Sequence, residues 1–174
     1  MYKKRGQIWI ETVIYTLIAF VLIAAVLAFV KPKIDEVQDK AIVEQSISMI
    51  KDIDATIMEI VQGGSGNKRK IEVSIKKGTL KIDSINDDIV FEIESKHIYS
   101  EPGKTIPDGN LLITTQESSG KENIITVQRL YDYNLTFSGK EELKTLSKAA
   151  TPYKIFFTNK GKIGDIWDID VTLG

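Results

Sequence analysis

The feature that most constrains this chain is an uninterrupted apolar segment near its N-terminus. Residues 12–30 contain no charged residue, no proline and no glycine. Ile8, Trp9 and Ile10 lengthen the segment, with only Glu11 in between. As an α-helix rising about 1.5 Å per residue, the segment spans roughly 30–35 Å, the thickness of a bilayer core. We therefore predict a helix that crosses a membrane once.

The charges on either side of the apolar segment predict its orientation. Lys3, Lys4 and Arg5 precede it, so the positive-inside rule places the N-terminus in the cytoplasm and the rest of the chain outside. Lys31 and Lys33 follow on the far side and weaken the asymmetry slightly.

Other interpretations of the apolar segment remain open. A cleaved secretory signal has a shorter apolar region followed by a small-residue cleavage site, whereas Ala24, Ala25 and Ala28 are embedded in the segment. A signal anchor holding an exported domain needs only apolarity and flanking charge. A buried core helix of a soluble protein would need more surrounding structure than the sequence downstream provides.

The overall composition argues against several functions. The 174 residues carry 23 Lys and Arg against 24 Asp and Glu, which gives no electrostatic basis for binding nucleic acid. Without cysteine there are no disulfides, thiol catalysis or cysteine-ligated metals. A single histidine, His97, excludes a multi-histidine metal site. We recognise no nucleophile–base or acid–acid pair, and expect neither an enzyme nor a cofactor.

The sequence before the apolar run, KKRGQIWIE at residues 3–11, resembles the class III signal peptide of archaeal type IV pilins. The resemblance covers residues 3–30. It implies that a prepilin peptidase cuts between Gly6 and Gln7 and that the apolar helix is retained. It also implies a surface filament, a helical homopolymer, whose assembly uses an ATPase and a membrane platform protein. Archaellins typically lack the glutamate, so the resemblance favours an adhesive pilus over a motility filament.

Glu11 is costly inside a spanning segment, at up to about 2.5–3.5 kcal/mol for an acidic residue at the centre and less near the ends. A newly cut α-amino group at Gln7, in the same chain or in a neighbouring subunit, would be a partner for it. The helix macrodipole also favours negative charge in the first turns. In the pilin family this glutamate is thought to guide a new subunit into register. An interfacial glutamate without such a role is the alternative.

The helical pattern continues beyond the apolar segment. Between residues 34 and 61 apolar residues recur mostly every three or four positions, which predicts an amphipathic helix. Its expected polar face includes Asp39. A glycine-rich loop from Gly63 to Asn67 ends it. A continuous helix over residues 7–62 would be about 84 Å long, although Pro32 predicts a kink or a break.

The remaining residues, 63–174, predict a β-rich head. Period-two alternation indicates half-buried strands separated by turn-like sequences. The expected strands are 71–75, 79–85, 89–93, 110–115, 123–131, 133–138, 153–158 and 167–173. Residues 140–149 are expected to form a short surface helix. The predicted fold class is α+β: a long N-terminal helix followed by an antiparallel, sandwich-like head.

Few residues of the head suggest chemistry. Asn134 begins an Asn-Leu-Thr sequence, a candidate for N-glycosylation on the exported side. Asp165, Asp168 and Asp170 do not have the spacing of a calcium loop, and Asp168 and Asp170 are expected on a solvated strand face. His97 is expected to be an ordinary surface residue, and the glycine-rich loop at 63–66 a linker.

Two functions follow from these patterns. The leading hypothesis is a filament subunit with a basic leader (residues 1–6), a long helix (7–62) and an extracytoplasmic head (63–174). It would reside in the membrane before assembly and at the cell surface afterwards. The alternative is a single-pass anchored domain that binds a ligand outside the cell.

Overall fold

A computed structural model describes residues 3–120 and 122–174, and for residues 3–7 it describes the backbone alone. The chain forms two compact units, residues 1–38 and 39–174. One helix, α1, runs from Lys3 to Gln62 and so contributes to both units. The fold class predicted from the sequence is confirmed, because ten strands in two mainly antiparallel sheets follow this helix.

Helix α1 continues through Pro32 without a break. The last turn of α1 is closed by the glycine-rich loop, where Gly63 N donates to Glu59 O at 2.9 Å. Gly64 then adopts a φ of 80°, the left-handed conformation that commonly follows a helix C-terminus and that glycine accommodates without strain. The helix therefore ends where the glycines predict.

The strands form a four-stranded and a six-stranded sheet. Their bounds are β1 Lys68–Val73, β2 Thr79–Asp83, β3 Asp88–Ser95, β4 Thr105–Asp108, β5 Leu111–Glu117, β6 Asn123–Leu130, β7 Asn134–Phe137, β8 Leu143–Ser147, β9 Tyr153–Ile163 and β10 Ile166–Leu173. The four-stranded sheet has the order β1-β9-β10-β7, and the six-stranded sheet β4-β5-β6-β3-β2-β8. All pairs are antiparallel except β7 and β10, which are parallel.

The helix predicted for residues 140–149 is wrong, because this segment contains strand β8. Leu146 lies opposite Leu80 of β2 and is almost fully buried. Pairing with the open edge of β2 and burial of this leucine outweigh the helix propensity of the Glu-Glu-Leu-Lys sequence. Strand β4, which the sequence patterns did not predict, pairs with β5 at the opposite edge of the same sheet.

The core of the second unit joins one face of α1 to the inner faces of both sheets. The buried apolar residues of α1 recur at helical spacing: Val43, Ile47, Ile50, Ile53, Ile57 and Ile60. They belong to the same hydrophobic cluster as Phe91 of the six-stranded sheet and Phe157 of the four-stranded sheet. The expected stripe is thus correct from residue 43 onward, whereas Ile34 and Val37 are exposed.

Two buried carboxylates of α1 bind the head. Asp54 accepts hydrogen bonds from Arg129 Nε at 2.7 Å and from Asn110 Nδ2 at 3.1 Å. Asp39 accepts from Lys77 Nζ and from the backbone N of Lys96, both at 2.8 Å. Asp39, which was expected on the polar face of the helix, is thus buried by its contacts with the head. Both carboxylates stabilise one placement of the helix on the sheets.

Substitution Asp54→Ala should lower the free energy of unfolding by about 3–5 kcal/mol, since it leaves the largely buried guanidinium of Arg129 without its carboxylate. Thermal and denaturant unfolding of the detergent-solubilised chain, followed by circular dichroism, measure the change. Glu44→Ala is the matched control on the same helix. Its exposed pair with Lys40 has a separation of 3.8 Å and should contribute no more than about 0.5 kcal/mol. Equal effects of the two substitutions would contradict the prediction.

Candidate functional site

The candidate functional site is the apolar N-terminal part of α1. Every residue from 8 to 30 is exposed, and sixteen large hydrophobic side chains in this range are at least 43% accessible. They surround the helix on all sides, unlike the one-sided stripe at residues 43–60. Leaving such side chains in water costs on the order of 1.5–3 kcal/mol each. This surface therefore requires lipid or other protein around it.

The polar groups within this segment are compatible with an apolar environment. Thr12 Oγ1 donates to Ile8 O at 2.9 Å, and Thr16 Oγ1 donates to Thr12 O at 2.8 Å. Both hydroxyls are thereby satisfied within the helix. In the described part of the chain, the helix beginning at Ile8 is the one element long and apolar enough to cross a membrane. A single such helix near the N-terminus indicates a membrane anchor or a signal sequence.

The residues of the predicted cleavage and assembly motif all fall on α1. Gly6 and Gln7 are helical in backbone conformation, and residues 1 and 2 of the leader lie outside the described residues. Glu11 is exposed on the same helix. The four-residue step from Gln7 to Glu11 corresponds to about 6 Å along the axis and places both on one helix face. Cleavage after Gly6 and the assembly role of Glu11 remain predictions.

The glycosylation candidate lies in the edge strand β7, and its side chains are engaged. Asn134 Nδ2 donates to Asp168 Oδ1 at 2.8 Å, and Thr136 Oγ1 donates to Asp170 Oδ1 at 3.1 Å. Gly139 N also donates to Asp170 Oδ1, at 2.8 Å. These bonds cross the parallel β7–β10 pair. Glycosylation of Asn134 remains a prediction.

The expectation that Asp170 lies on a solvated strand face is wrong, since it is only 7% exposed. Its carboxylate is bound by Thr136 and Gly139 and lies 3.7 Å from Lys160 Nζ. Asp165 is exposed in the turn before β10. Among residues 3–120 and 122–174, no group of three or more His, Asp or Glu side chains is arranged to hold a metal ion.

The other two candidates have local structural roles. His97 N donates to Ser95 Oγ at 2.9 Å in the bend after β3. The glycine-rich loop is held against β9, because Gly66 N donates to Asn159 O at 2.8 Å. Asn159 is fully buried, and its Nδ2 donates at 3.1 Å to Ile60 O in the last turn of α1. The loop thus links α1 to β1, as expected, and is also hydrogen-bonded to β9.

Two titratable groups of the head are buried: Tyr131, an aromatic residue expected in the core or in packing between subunits, and Asp88, whose burial was not predicted from the sequence. Burial raises the pKa of Asp88, against the opposing effect of Gln128, whose Nε2 donates to Asp88 Oδ2 at 2.5 Å. Burial, with a smaller effect of Asp54, also raises the pKa of Tyr131, so its phenol stays protonated. Both lie in or directly after alternating strands, where a polar residue is normally expected at the surface. No sequence signal marked the burial of Asp88.

The raised pKa of Asp88 predicts a pH dependence of stability. Because native Asp88 binds its proton more tightly than the unfolded chain does, its contribution to stability is complete below the ordinary aspartate pKa. It is lost as the pH rises through the native pKa. Asp88→Asn should therefore be more stable than the wild type at neutral pH, and the difference should disappear in acid. Denaturant unfolding across a pH series measures this, with the exposed Asp52→Asn as control. A difference that does not vary with pH would contradict the assignment.

Comparison with known proteins supplies no assignment. No family model matches the chain, and no curated protein or solved structure matches it significantly. Its function must therefore be inferred from its own residues and geometry.

Proposed function

We propose that the chain is the structural subunit of an extracellular, type IV pilus-like filament that polymerises through its N-terminal apolar helix. One observation carries the proposal. Helix α1 is apolar and exposed on all sides over residues 8–30, and the same helix provides the buried stripe of the head from Val43 to Ile60. A secretory signal is cleaved off and is not expected to be continuous with a helix in the core of the mature domain. In a pilin-like subunit, by contrast, one retained helix carries both the apolar segment and the core residues.

Assembly transfers the apolar segment from lipid to a bundle of the same segments from other copies. Apolar contact and packing between helices then replace contact with acyl chains. In such a bundle the carboxylate of Glu11 pairs with the α-amino group of Gln7 in a neighbouring subunit, once the prepilin peptidase has cut after Gly6. Opposite charges attract much more strongly there than in water, so the pair favours one axial register.

The further aspects of the proposal follow the resemblance at residues 3–30. The subunit resides in the membrane with a cytoplasmic N-terminus before assembly and on the cell surface afterwards. An assembly ATPase and a membrane platform protein drive its polymerisation. The filament is adhesive rather than motile, and the subunit is not an enzyme.

A single-pass anchored binding domain is the second candidate, and one observation favours it. An open groove of about 330 Å³ lies in the second unit between α1 and the segment around β1. Ile42 and Met49 of α1 and Ile71 and Val73 of β1 contribute to its walls. Such a groove, polar and apolar in part, is able to accept a ligand.

The N-terminus of the protein recovered from its native membrane or surface fraction separates the two candidates. Intact mass and N-terminal sequencing should give a chain that begins at Gln7 and retains the apolar helix. A membrane-bound chain that begins at Met1 or Tyr2 would support the anchored binding domain. A start near Lys31 would show that the helix is a removable secretory signal and would refute the filament proposal.

Substitution Glu11→Ala should impair assembly without impairing membrane insertion, because it removes the partner of the Gln7 amino group. We expect filament yield, measured by sedimentation and electron microscopy, to fall roughly tenfold or more, which corresponds to about 1.4 kcal/mol or more per subunit added. Glu44→Ala removes a glutamate from the same helix outside the apolar segment and should assemble normally. Normal assembly of the Glu11 variant would exclude the proposed pairing.

A further inference from the structure

The outer face of the four-stranded sheet has a positively charged patch around an aromatic ring. Lys68 and Lys70 of β1 lie opposite Thr158 and Phe156 of β9. The Nζ atom of Lys68 lies 4.7 Å from the centroid of the Phe156 ring. Lys154 lies on the same face two residues before Phe156. We call Lys68, Lys70, Lys154 and Phe156 the lysine patch.

The carboxylate of Glu72 borders the lysine patch but does not neutralise it. Glu72 lies opposite Lys154 and forms an ion pair with Lys70 at 2.9 Å. The hydrogen bond from Lys70, with smaller effects of its charge and that of Lys154, lowers the pKa of Glu72. Three lysines against one glutamate leave the patch with a net positive charge.

The outer face of the six-stranded sheet has a shallow depression bordered by glutamates. Its volume is about 350 Å³, and its walls include Glu92 and Glu94 of β3, Ile124 of β6 and Gly78. A residue with a side chain does not fit at position 78, because its Cβ atom would lie 2.4 Å from Glu92 O. Glu94 is exposed, and Ile124 lies opposite it. We call these four residues the glutamate depression.

Two lysines lie near the glutamate depression, and both are paired with carboxylates: Lys81 with Glu92 of the depression itself, and Lys77 with carboxylates outside it. Lys81 Nζ donates to Glu92 Oε2 at 2.6 Å. Lys77, which lines the depression, donates to Asp39 Oδ1 at 2.8 Å and lies 3.7 Å from Glu122. Neither lysine pairs with Glu94, so the exposed carboxylate of Glu94 gives the depression its negative charge.

The lysine patch and the glutamate depression face in different directions. Within β9, Ile155 and Phe157 are buried in the common core, so Phe156 points away from it. Within β3, Phe91 and Ile93 are buried in the same core, so Glu92 and Glu94 point away from it on the other sheet. The lysine patch and the glutamate depression of one copy therefore cannot contact each other. The lysine patch of one copy can contact the glutamate depression of another.

We propose that the lysine patch of one head docks onto the glutamate depression of the next copy, which gives a head-to-tail contact between subunits. This rests on the proposed filament function and identifies the surfaces through which the heads meet. The two surfaces are complementary in charge, and each has an apolar centre, Phe156 or Ile124. Because they differ, the interface is heterologous, and a heterologous contact that does not close into a ring generates a helical filament.

A second copy fits these observations better than an anionic polymer does. A polyanion would account for the lysines but not for the glutamates on the opposite sheet. Complementary charges across an interface steer association and fix register. Both surfaces occur in every copy, so each subunit offers one contact to the copy before it and one to the copy after it.

Charge reversal of each surface tests the interface in the full-length chain. Lys70→Glu/Lys154→Glu makes both surfaces of the variant negative, and Glu92→Lys/Glu94→Lys makes both positive. Each variant alone should show a roughly tenfold or greater fall in filament yield, since like charges then meet at each contact. An equimolar mixture should form filaments of alternating subunits, because negative surfaces then meet positive ones. Lys104→Glu/Lys148→Glu changes the net charge equally, outside both surfaces, and should assemble like the wild type.

Each outcome of this experiment has a distinct meaning. Recovery of filaments on mixing supports the interface, because restored folding of single chains cannot explain it; circular dichroism of each variant verifies the fold. Normal assembly of either variant alone, or no recovery in the mixture, overturns the proposed interface while the filament function stands. Normal assembly of the lysine variant combined with loss of binding to heparin would overturn it in favour of a polyanion site. Failure of the wild type to polymerise would instead refute the filament function.

Discussion

The constraint on which the rest of the structure depends is the exposed apolar surface of residues 8–30. With sixteen large hydrophobic side chains accessible around the whole helix, the cost of hydrating this segment is on the order of tens of kcal/mol. That exceeds the net stability of a typical domain. Every state of the protein must therefore keep this segment in lipid or against other helices. Because the segment shares α1 with the core of the head, the head remains tied to whatever surrounds the helix.

The attachment of α1 to the head is specified by polar contacts as well as by the apolar stripe. Isoleucines spaced by three and four residues allow a helix to slide by one turn at little cost, because the next isoleucine replaces the last. The buried carboxylates of Asp39 and Asp54 do not allow this. They are separated by about 22 Å along the helix. Their partners Arg129 and Lys96 are a similar distance apart, because the chain extends roughly 24 Å from Ile89, which lies opposite Arg129, to Lys96. Only one axial position satisfies both carboxylates, which is a role in specificity that buried polar contacts perform in other helical systems.

The predictable parts of this fold are those in which apolar residues recur with a clear period and glycine marks the end of an element. The glycines after Gln62 marked the end of α1, and alternating apolar residues marked β3 and β10 because these residues face the core. The predictions failed where tertiary contacts reverse a local preference. The segment of β8 has a helical composition but completes the edge of β2. Asp39, Asp88 and Asp170 are charged residues that folding buries, and their partners lie more than thirty residues away in the sequence. The apolar segment and its motif were visible because they depend on adjacent residues alone.

A filament subunit needs both affinity and register, and these come from different kinds of surface. Apolar association is strong but non-directional, so helices like residues 8–30 can bundle in many relative positions with similar energies. Charged groups are selective, because like-charge contacts disfavour wrong arrangements while opposite charges fix the register. In the proposed filament, Glu11 within the apolar segment and the two charged faces of the head would supply this discrimination. In this view the apolar segment makes polymerisation favourable, and a few charges select one polymer among the many that hydrophobic contact alone would permit.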